Sequence, residues 1–488
     1  MGRLWYGFLV MCFVVQAGAA LAETTDERLQ RLEQTIENMK KHEASEREIE
    51  GQPPATKPGE SPNVQQLGAQ GQGAERKYGS IMQGSGKLIY ARPFVSNPKA
   101  IVGGYTDFEY INRRHAGGPS TMEVHRFVPF IYGDISEHVK FAAEIEIEHG
   151  ILERSSAPTS EVSLEFATID YLVNDKLNLR AGVLLLPVGK FNLLHDAPLR
   201  DLTERPLVDQ MLYGVVLSET GAGAYGTFYP TRQSKLDYEV YVTTGYNGFG
   251  NCQAGSANAN SLNPTNCPNA INERSGISGA RQRTSPIGAG FDNNNGKAVV
   301  GRVAFSPFLG VEIGGSGYTG TYDPFGNRRL TIAAVDWTLV RGPFEVIGES
   351  IWTYVEDNNK RIDGSACLGS NTANVAFSHT CPQRMQGYYI QGNYHFLPEW
   401  MTRLAPSFFR PEVSTFTTMV RWEQVNTNLD QSNGLGERQR VTFGVNYRPT
   451  EDTVFKLDFQ YSPKEIDTNN NNNRIHDRAI LLSAATYF

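Results

Sequence analysis

The sequence predicts an all-β fold, a transmembrane antiparallel β-barrel of about 16 strands, preceded by a short periplasmic coiled-coil helix. Three observations predict it. Segments that alternate apolar and polar side chains recur from about residue 100, the links between them alternate between short and long, and the chain ends on the aromatic Phe488. Hydrophobic residues make up 40% of the chain, which suits a barrel whose strands turn one face to a polar lumen.

The first element is a predicted signal peptide, residues 1–22. Arg3 precedes an apolar run over residues 4–15, and small residues lead to a cleavage pattern that ends at Ala22. An N-terminal membrane anchor is the alternative, but the run is shorter than the ~18 residues a spanning helix needs.

Residues 23–42 are predicted to form the short coiled coil. Leu29, Leu32, Ile36 and Met39 recur at spacings of three and four, as in an a/d seam. A lone amphipathic helix is the alternative, because two heptads are marginal in isolation.

A flexible linker is predicted for residues 43–80, which are rich in Pro, Gly and Gln and offer little to bury. The barrel is assigned to residues 81–488. After residue 22 no run approaches the ~18 apolar residues of a spanning helix, so strands would have to cross any membrane.

The alternation is clearest over residues 139–148, with Val, Phe, Ala and Ile on one face and Lys140, Glu144 and Glu146 on the other. A charged side chain facing lipid near the midplane is destabilising, by about 2–4 kcal/mol for Lys and by less for Glu, so the charged face should line the interior. Residues 162–173 alternate less regularly, which leaves room for a bulge.

The connections sort by length. Short links lie near residues 134–137, 174–176, 231–234, 306–310, 341–343 and 448–452, and longer polar links at 150–160, 246–296, 356–382, 427–437 and 463–473. Tight periplasmic turns and long external loops produce this order. A barrel of sixteen strands is wide enough for an aqueous channel. A soluble sandwich or propeller is the alternative, but no repeat of fixed period supports a propeller.

Four cysteines follow the signal peptide and form two local pairs, Cys252 with Cys267 and Cys367 with Cys381. In an exported chain this spacing predicts two disulfides that staple long loops. Zinc binding is the alternative, although closer Cys spacing or more histidines would be expected.

Little in the sequence points to other chemistry. The net charge of −7 argues against nucleic acid as a partner. A GxGxxG match at residues 221–226 falls in a predicted strand with no following helix, and Ser218 and His195 lack a nucleophile motif. The nine histidines show no paired ligand spacing. We therefore predict no catalysis, no cofactor and no metal site.

Residues 182–191 carry a predicted strand into a Pro187-x-Gly189 corner, followed by His195-Asp-Ala-Pro-Leu-Arg200 and Glu204-Arg205-Pro. This stretch resembles the phosphate-selective porin (porin O/P) superfamily. The N-terminal coil and linker resemble the periplasmic extension of trimeric dicarboxylate-type porins, and the terminal Phe488 resembles the assembly signal of bacterial outer-membrane barrels.

The resemblance implies a homotrimeric porin of the bacterial outer membrane, inserted by the barrel-assembly machinery among lipid and lipopolysaccharide. It implies passive diffusion of small hydrophilic solutes through a water-filled barrel that an inward loop narrows. The alternative is a plugged barrel with an adhesive, structural or cell-wall-tethering role carried by its large external loops.

The segment 191–212 is the candidate constriction because it holds charges of both signs within a few residues, and rings of charge in a narrow place give pores their selectivity. The candidates are His195, Asp196, Arg200, Asp201, Glu204 and Arg205. A surface loop tied by its own salt bridges is the alternative.

Alternation also predicts charged residues along the lumen, each of which could equally be ordinary polar lining. They are Glu144, Glu146, Arg180, Arg302, Asp336, Glu349, Arg421, Glu423, Arg440 and Lys456. Five are acidic and five basic, whereas a phosphate-selective pore should show an excess of Arg and Lys. This balance does not support phosphate specificity, and the sequence leaves the choice between anion and cation selectivity open.

Overall fold

The computed structural model describes residues 99–114, 120–149, 161–248, 271–280, 296–323, 325–360, 381–430, 436–466 and 474–488. The predicted signal peptide, coiled coil and linker lie outside the described residues. So do Cys252, Cys267 and Cys367. Cys381 is disulfide-bonded, and its predicted pairing with Cys367 stays a prediction.

The described residues form sixteen antiparallel strands that close into one barrel, which confirms the predicted fold class. In chain order they are β1 (Lys99–Arg113), β2 (Thr121–Asp134), β3 (Val139–Glu148), β4 (Glu161–Asn174), β5 (Leu177–Leu185), β6 (Ser218–Phe228), β7 (Lys235–Thr243), β8 (Ala298–Phe308), β9 (Val311–Thr321), β10 (Arg329–Arg341), β11 (Phe344–Val355), β12 (Arg384–Phe396), β13 (Thr415–Asn426), β14 (Glu437–Thr450), β15 (Thr453–Ile466) and β16 (Arg474–Tyr487). Each strand pairs with its neighbours in sequence, and β1 closes the barrel on β16.

The two ends of the barrel differ as the link lengths predict. At one end, here the turn end, four connections consist of only two residues each, at 175–176, 309–310, 342–343 and 451–452. The β12–β13 connection at this end is longer and holds a short helix, α1 (Glu399–Leu404). The opposite end, here the loop end, carries the long connections. No helix among the described residues is long and apolar enough to span a membrane.

The outer face is apolar and exposed while the inner face is polar and buried. On β15, for example, Phe455 and Phe459 are each 50% exposed, whereas the intervening Lys456 and Asp458 are buried. Other strands repeat this pattern, with Leu177 and Leu179 of β5 and Phe443 and Val445 of β14 exposed on the outside. Because water penalises such a surface and lipid does not, the barrel wall is built to contact lipid.

Two bulges change which side chains turn inward. In β4, Glu144 of β3 pairs with Phe166 and Ile145 pairs with Leu164, so that Glu165 is the extra residue and its side chain is fully buried. This confirms the bulge suggested for residues 162–173. In β2, Asp107 of β1 pairs with Arg126 and Phe108 with Val124, which makes His125 the extra residue. The sequence did not indicate this second bulge.

The chain end completes the seam between β1 and β16. The amide of Phe488 donates to the carbonyl of Gly104 at 2.9 Å, and the amide of Gly104 donates back at 3.1 Å. The Phe488 ring stacks on Phe127, with centroids 5.6 Å apart. Phe488 therefore extends the closing ladder, while its role as an assembly signal stays a prediction.

The expectation of a polar lumen is wrong for part of the wall. Toward the loop end, strands β7 to β13 turn apolar side chains inward, and these are buried in one continuous cluster. Val300, Ile332, Ile351, Tyr389 and Val425 are wall members of this cluster. These side chains face residues of the β5–β6 and β7–β8 connections that lie inside the barrel. Burial against those residues makes apolar side chains favourable at these wall positions.

Candidate functional site

The connection between β5 and β6, residues 186–217, lies inside the barrel and is called here the inward segment. It contains a 3₁₀ turn, Phe191–Leu193, and one turn of π-helix, Asp209–Tyr213. The corner predicted at Gly189 turns it off the wall, with φ at +69°. A side chain there would collide with the Glu349 carboxylate, so the corner needs glycine. The Gly189 amide donates to Ser316 Oγ at 2.9 Å.

His195 and Asp196 attach the segment to the wall near β4 and β16. The two ring nitrogens of His195 are 2.8 Å from the Asn192 carbonyl and 3.0 Å from Glu165 Oε2. Burial lowers the pKa of His195, but the charge of Glu165, its hydrogen bond and the charge of Asp196 together outweigh burial and hold the pKa above its ordinary value. Asp196 accepts a hydrogen bond of 2.8 Å from the Tyr487 hydroxyl.

Arg200 and Asp201 bind different strands of the wall, because β14 and β12 lie three and five positions from β1 around the barrel. The buried Arg200 guanidinium lies 3.4 Å from Asp107 Oδ2 on β1. Asp201 accepts hydrogen bonds from Asn393 on β12 at 2.8 Å and from Asn446 on β14 at 3.3 Å. The segment therefore bridges strands that lie on different sides of the barrel.

Glu204 forms two ion pairs with arginines of the wall. It forms ion pairs with Arg113 of β1 and Arg440 of β14, and accepts from Gln460 Nε2 at 3.1 Å. Arg440 in turn holds Glu423 of β13 at 2.6 Å. These contacts form one network of charged and polar side chains, which links the segment to β1, β13, β14 and β15.

Arg205 differs from its neighbours. Its guanidinium is buried and lies 3.6 Å from Asp209, four residues on, and its three nitrogens have no hydrogen-bond partner among the described residues. The alternative of a surface loop tied by its own salt bridges fits only this pair. The charged groups of His195, Asp196, Arg200, Asp201 and Glu204 all contact strand side chains.

The second half of the segment, residues 207–217, is held by apolar contacts. Leu212, Tyr213 and Leu217 are buried in the cluster formed with the wall. Residues 271–280, part of the β7–β8 connection, cover this half from the loop end, and the amide of Ile277 donates to the Met211 carbonyl at 3.0 Å. The sequence predicts that this connection lies wholly outside the barrel, which is wrong for residues 271–280.

All ten predicted lumen residues lie on the inner face of the wall. Arg302 binds Asp336 at 2.6 Å, and Arg180 binds Asp170 through two contacts of 2.8 Å. Lys456 donates to the Ala197 carbonyl of the inward segment at 2.7 Å. The remaining six belong to the same inner surface; they are Glu144, Glu146, Glu349, Arg421, Glu423 and Arg440.

Sequence reasoning missed several partners in this network. Asp107 and Glu109 alternate with Phe108 and Tyr110 on β1, so the signal used for β3 could have found them. Glu165 could not be found in this way, because the bulge in β4 interrupts the alternation.

Two cavities flank the inward segment toward the turn end. The first, of about 360 Å³, is lined by three basic residues and three acidic ones, Lys190, Arg200, Arg421, Asp201, Glu204 and Glu345. The second, of about 390 Å³, is lined by two of each sign, Lys140, Arg180, Asp170 and Glu239. Leu194 lines the first and Leu193 the second, so the 3₁₀ turn separates them. Neither cavity carries an excess of one charge.

No protein-family model matches the chain. A relative from Aquifex aeolicus (strain VF5), described as an uncharacterized protein, is 25% identical over 399 residues, which cover 79% of this chain and 80% of the relative. Among solved structures, Salmonella typhi OmpF in complex with daunomycin has a TM-score of 0.47 and 11% identity over 80% of this chain and 98% of its own. The anion-selective porin from Comamonas acidovorans has a TM-score of 0.46 and 10% identity over 80% of this chain and 100% of its own. The outer membrane channel DcaP of Acinetobacter baumannii has a TM-score of 0.45 and 8% identity over 80% of this chain and 97% of its own.

Proposed function

We propose that the chain is an outer-membrane porin, which passes small hydrophilic solutes passively and discriminates weakly between anions and cations. The observation that carries this proposal is the pair of charge-balanced cavities on either side of the inward segment. A lipid-facing wall with such spaces inside it suits diffusion, and nothing in the proposal needs a catalytic group or a cofactor.

The inward segment acts as the constriction in this proposal. Solutes pass beside residues 195–205, where the segment and the wall meet through charged side chains. Some buried polar atoms of the charged residues 195–205 have no hydrogen-bond partner among the described residues, namely the Arg205 guanidinium nitrogens and Arg200 Nε. They support a hydrated interior, because water satisfies such groups at low cost.

The test is single-channel conductance of the purified protein in a planar bilayer under a salt gradient. The expected result is stepwise conductance that closes in three equal levels, as a homotrimer requires, with a reversal potential close to zero. A folded, inserted barrel that conducts no current would overturn the proposal.

The assembly and location belong to the same proposal. The chain would be exported by its signal peptide, inserted by the barrel-assembly machinery and surrounded by lipid and lipopolysaccharide as a homotrimer. The resemblance to the phosphate-selective superfamily stays a prediction, and the balanced charges of the two cavities give no support to phosphate as the solute.

A plugged barrel is the second candidate, and one observation favours it. Residues 271–280 and 207–217 bury an apolar cluster against the wall at the loop end, which fills part of the lumen with protein. Deletion of residues 249–270 separates the candidates. A porin should keep its conductance after this deletion, whereas an adhesive or tethering barrel should lose its partner and show no current before or after.

A further inference from the structure

Four side chains that the proposed function does not use meet at the loop end of β1, β2 and β3. They are Glu109, Glu123, His125 and His149. The donor atoms of Glu123, His125 and His149 all lie within 4.8 Å of one another. The side chains of His125, Glu123 and His149 are 18%, 30% and 42% exposed, so the group borders solvent.

The spacing of these donors fits a bound ion. A tetrahedral zinc site with bonds of about 2.0–2.1 Å places its donor atoms about 3.3 Å apart. His125 Nδ1 lies 3.5 Å from Glu123 Oε1 and 3.5 Å from Glu109 Oε2, and His149 Nδ1 lies 2.9 Å from Glu123 Oε2. Among the described residues, His125 Nδ1 is buried and makes no hydrogen bond.

Local backbone features hold the two imidazoles together. The bulge in β2 turns His125 inward beside Arg126, where a regular strand would turn it to the outside. His149 has φ at +58°, a conformation that non-glycine residues rarely adopt, and its amide donates to the His125 carbonyl at 2.9 Å. Residues with strained backbone of this kind cluster at active sites and ligand-binding sites. The rings end 5.1 Å apart, edge to face.

The charge around the site also suits a cation. Arg126, the nearest guanidinium in sequence, is held by Glu146 at 2.9 Å and by Glu148 at 2.6 Å, which offset its charge. Glu109 and Glu123 remain to neutralise a divalent ion. Imidazole and carboxylate ligands together favour zinc, copper or nickel over magnesium or calcium.

We propose that Glu123, His125 and His149 bind one divalent transition-metal ion of the zinc class, beside Glu109, whose Oε2 lies 3.5 Å from His125 Nδ1. The ion would join the start of β2 to the residue that follows β3. A second group, Glu144, His195 and Asp196, also brings donor atoms together. It does not carry the same inference, because both ring nitrogens of His195 are already engaged by Asn192 and Glu165.

The test is to titrate the purified, chelator-treated protein in detergent with zinc sulfate and to measure zinc binding by calorimetry. The expected result is one zinc ion per chain. His125→Gln and His149→Gln should each weaken binding by at least about tenfold, the lower limit seen when only outer-shell partners are lost. His138→Gln is the matched control, because His138 lies in the β2–β3 turn at the opposite end and contacts the Leu172 carbonyl. It should bind zinc as the wild type does.

Copper(II) provides a spectroscopic check that does not depend on stability. The electron paramagnetic resonance spectrum of the wild type should show coupling to two imidazole nitrogens, and either single variant should show one. Heat-modifiable mobility on gels confirms that each variant still folds as a barrel. Absence of stoichiometric zinc binding by the wild type would overturn the proposal, as would unchanged zinc affinity in the His125→Gln, His149→Gln double variant.

Discussion

The two halves of the inward segment are attached to the same barrel by different forces. Residues 195–205 meet the wall through ion pairs and hydrogen bonds, among them the contacts of Glu204 with Arg113 and Arg440. Residues 207–217 meet it through an apolar cluster that includes Leu212 and Tyr213. One half is therefore held by charge and the other by exclusion of water.

The difference assigns separate tasks to the two halves. Apolar packing at the 207–217 half leaves no polar surface for a solute, so it fixes the segment in place. The charged half borders the cavity of about 360 Å³ through Arg200, Asp201 and Glu204, and these side chains can exchange wall contacts for water. The structure thus combines a rigid anchor with a polar edge along a single segment.

The largest effect is expected when the apolar anchor is broken. Leu212 is fully buried, and Leu212→Asp places a carboxylate in an apolar cluster, which costs several kcal/mol. The 207–217 half should detach, and single-channel conductance should rise several-fold with faster proteolysis of the segment. Leu404→Asp is the control, because Leu404 is 76% exposed on α1, outside the inward segment. Equal behaviour of the two variants would show that the cluster is not the anchor.

The next effect concerns charge. Glu204→Gln removes the carboxylate that Arg113 and Arg440 share. The positive charge of these two arginines is then less completely neutralised at the charged half. The loss of stability should reach up to about 3 kcal/mol, and the reversal potential should move toward anion preference. Glu399→Gln is the control, since Glu399 pairs with Arg403 on exposed α1. An unchanged reversal potential in Glu204→Gln would contradict a selectivity role for this half.

A smaller effect is expected at the cover of the anchor. Gly276 has φ at +61°, and a side chain there would collide with the Met211 carbonyl. Gly276→Ala should loosen residues 271–280 and destabilise the barrel by about 1–3 kcal/mol in denaturant titration. Gly342→Ala measures the loss of stability from backbone strain alone. Gly342 has φ at +58°, but no atom lies within 4 Å of an added side chain. The Gly276 variant should be the less stable of the two.

The smallest effect is a pH dependence confined to the charged half. The pKa of His195 is raised in the folded state, where Glu165 faces it together with Asp196 and Arg205. The stabilisation is therefore complete below about pH 6.5, the ordinary histidine value, and is lost as pH rises through the raised value. Proteolysis of the segment should accelerate as pH rises through that value. His195→Gln should abolish this dependence, and the His138→Gln control should retain it.

Much of the barrel could be predicted because its signals are local. The alternation of Lys456 and Asp458 with Phe455 and Phe459 depends only on neighbouring residues, since successive strand side chains point to opposite faces. The position of the inward segment was suggested by the Pro187-x-Gly189 corner and a family resemblance. The contacts that hold the segment had no such signal.

The sequence by itself determined the sixteen strands, their inner and outer faces and the charges available inside, because each follows from a period of two residues and from turn chemistry. Tertiary structure alone decided which charges pair and where the lumen becomes apolar. Glu204 and Arg440, for example, are 236 residues apart in the chain. It also brought Glu123, His125 and His149 together, through the bulge in β2 at His125 and the positive φ of His149. Such contacts depend on barrel closure and strand register, which fix distances between residues that the sequence keeps far apart.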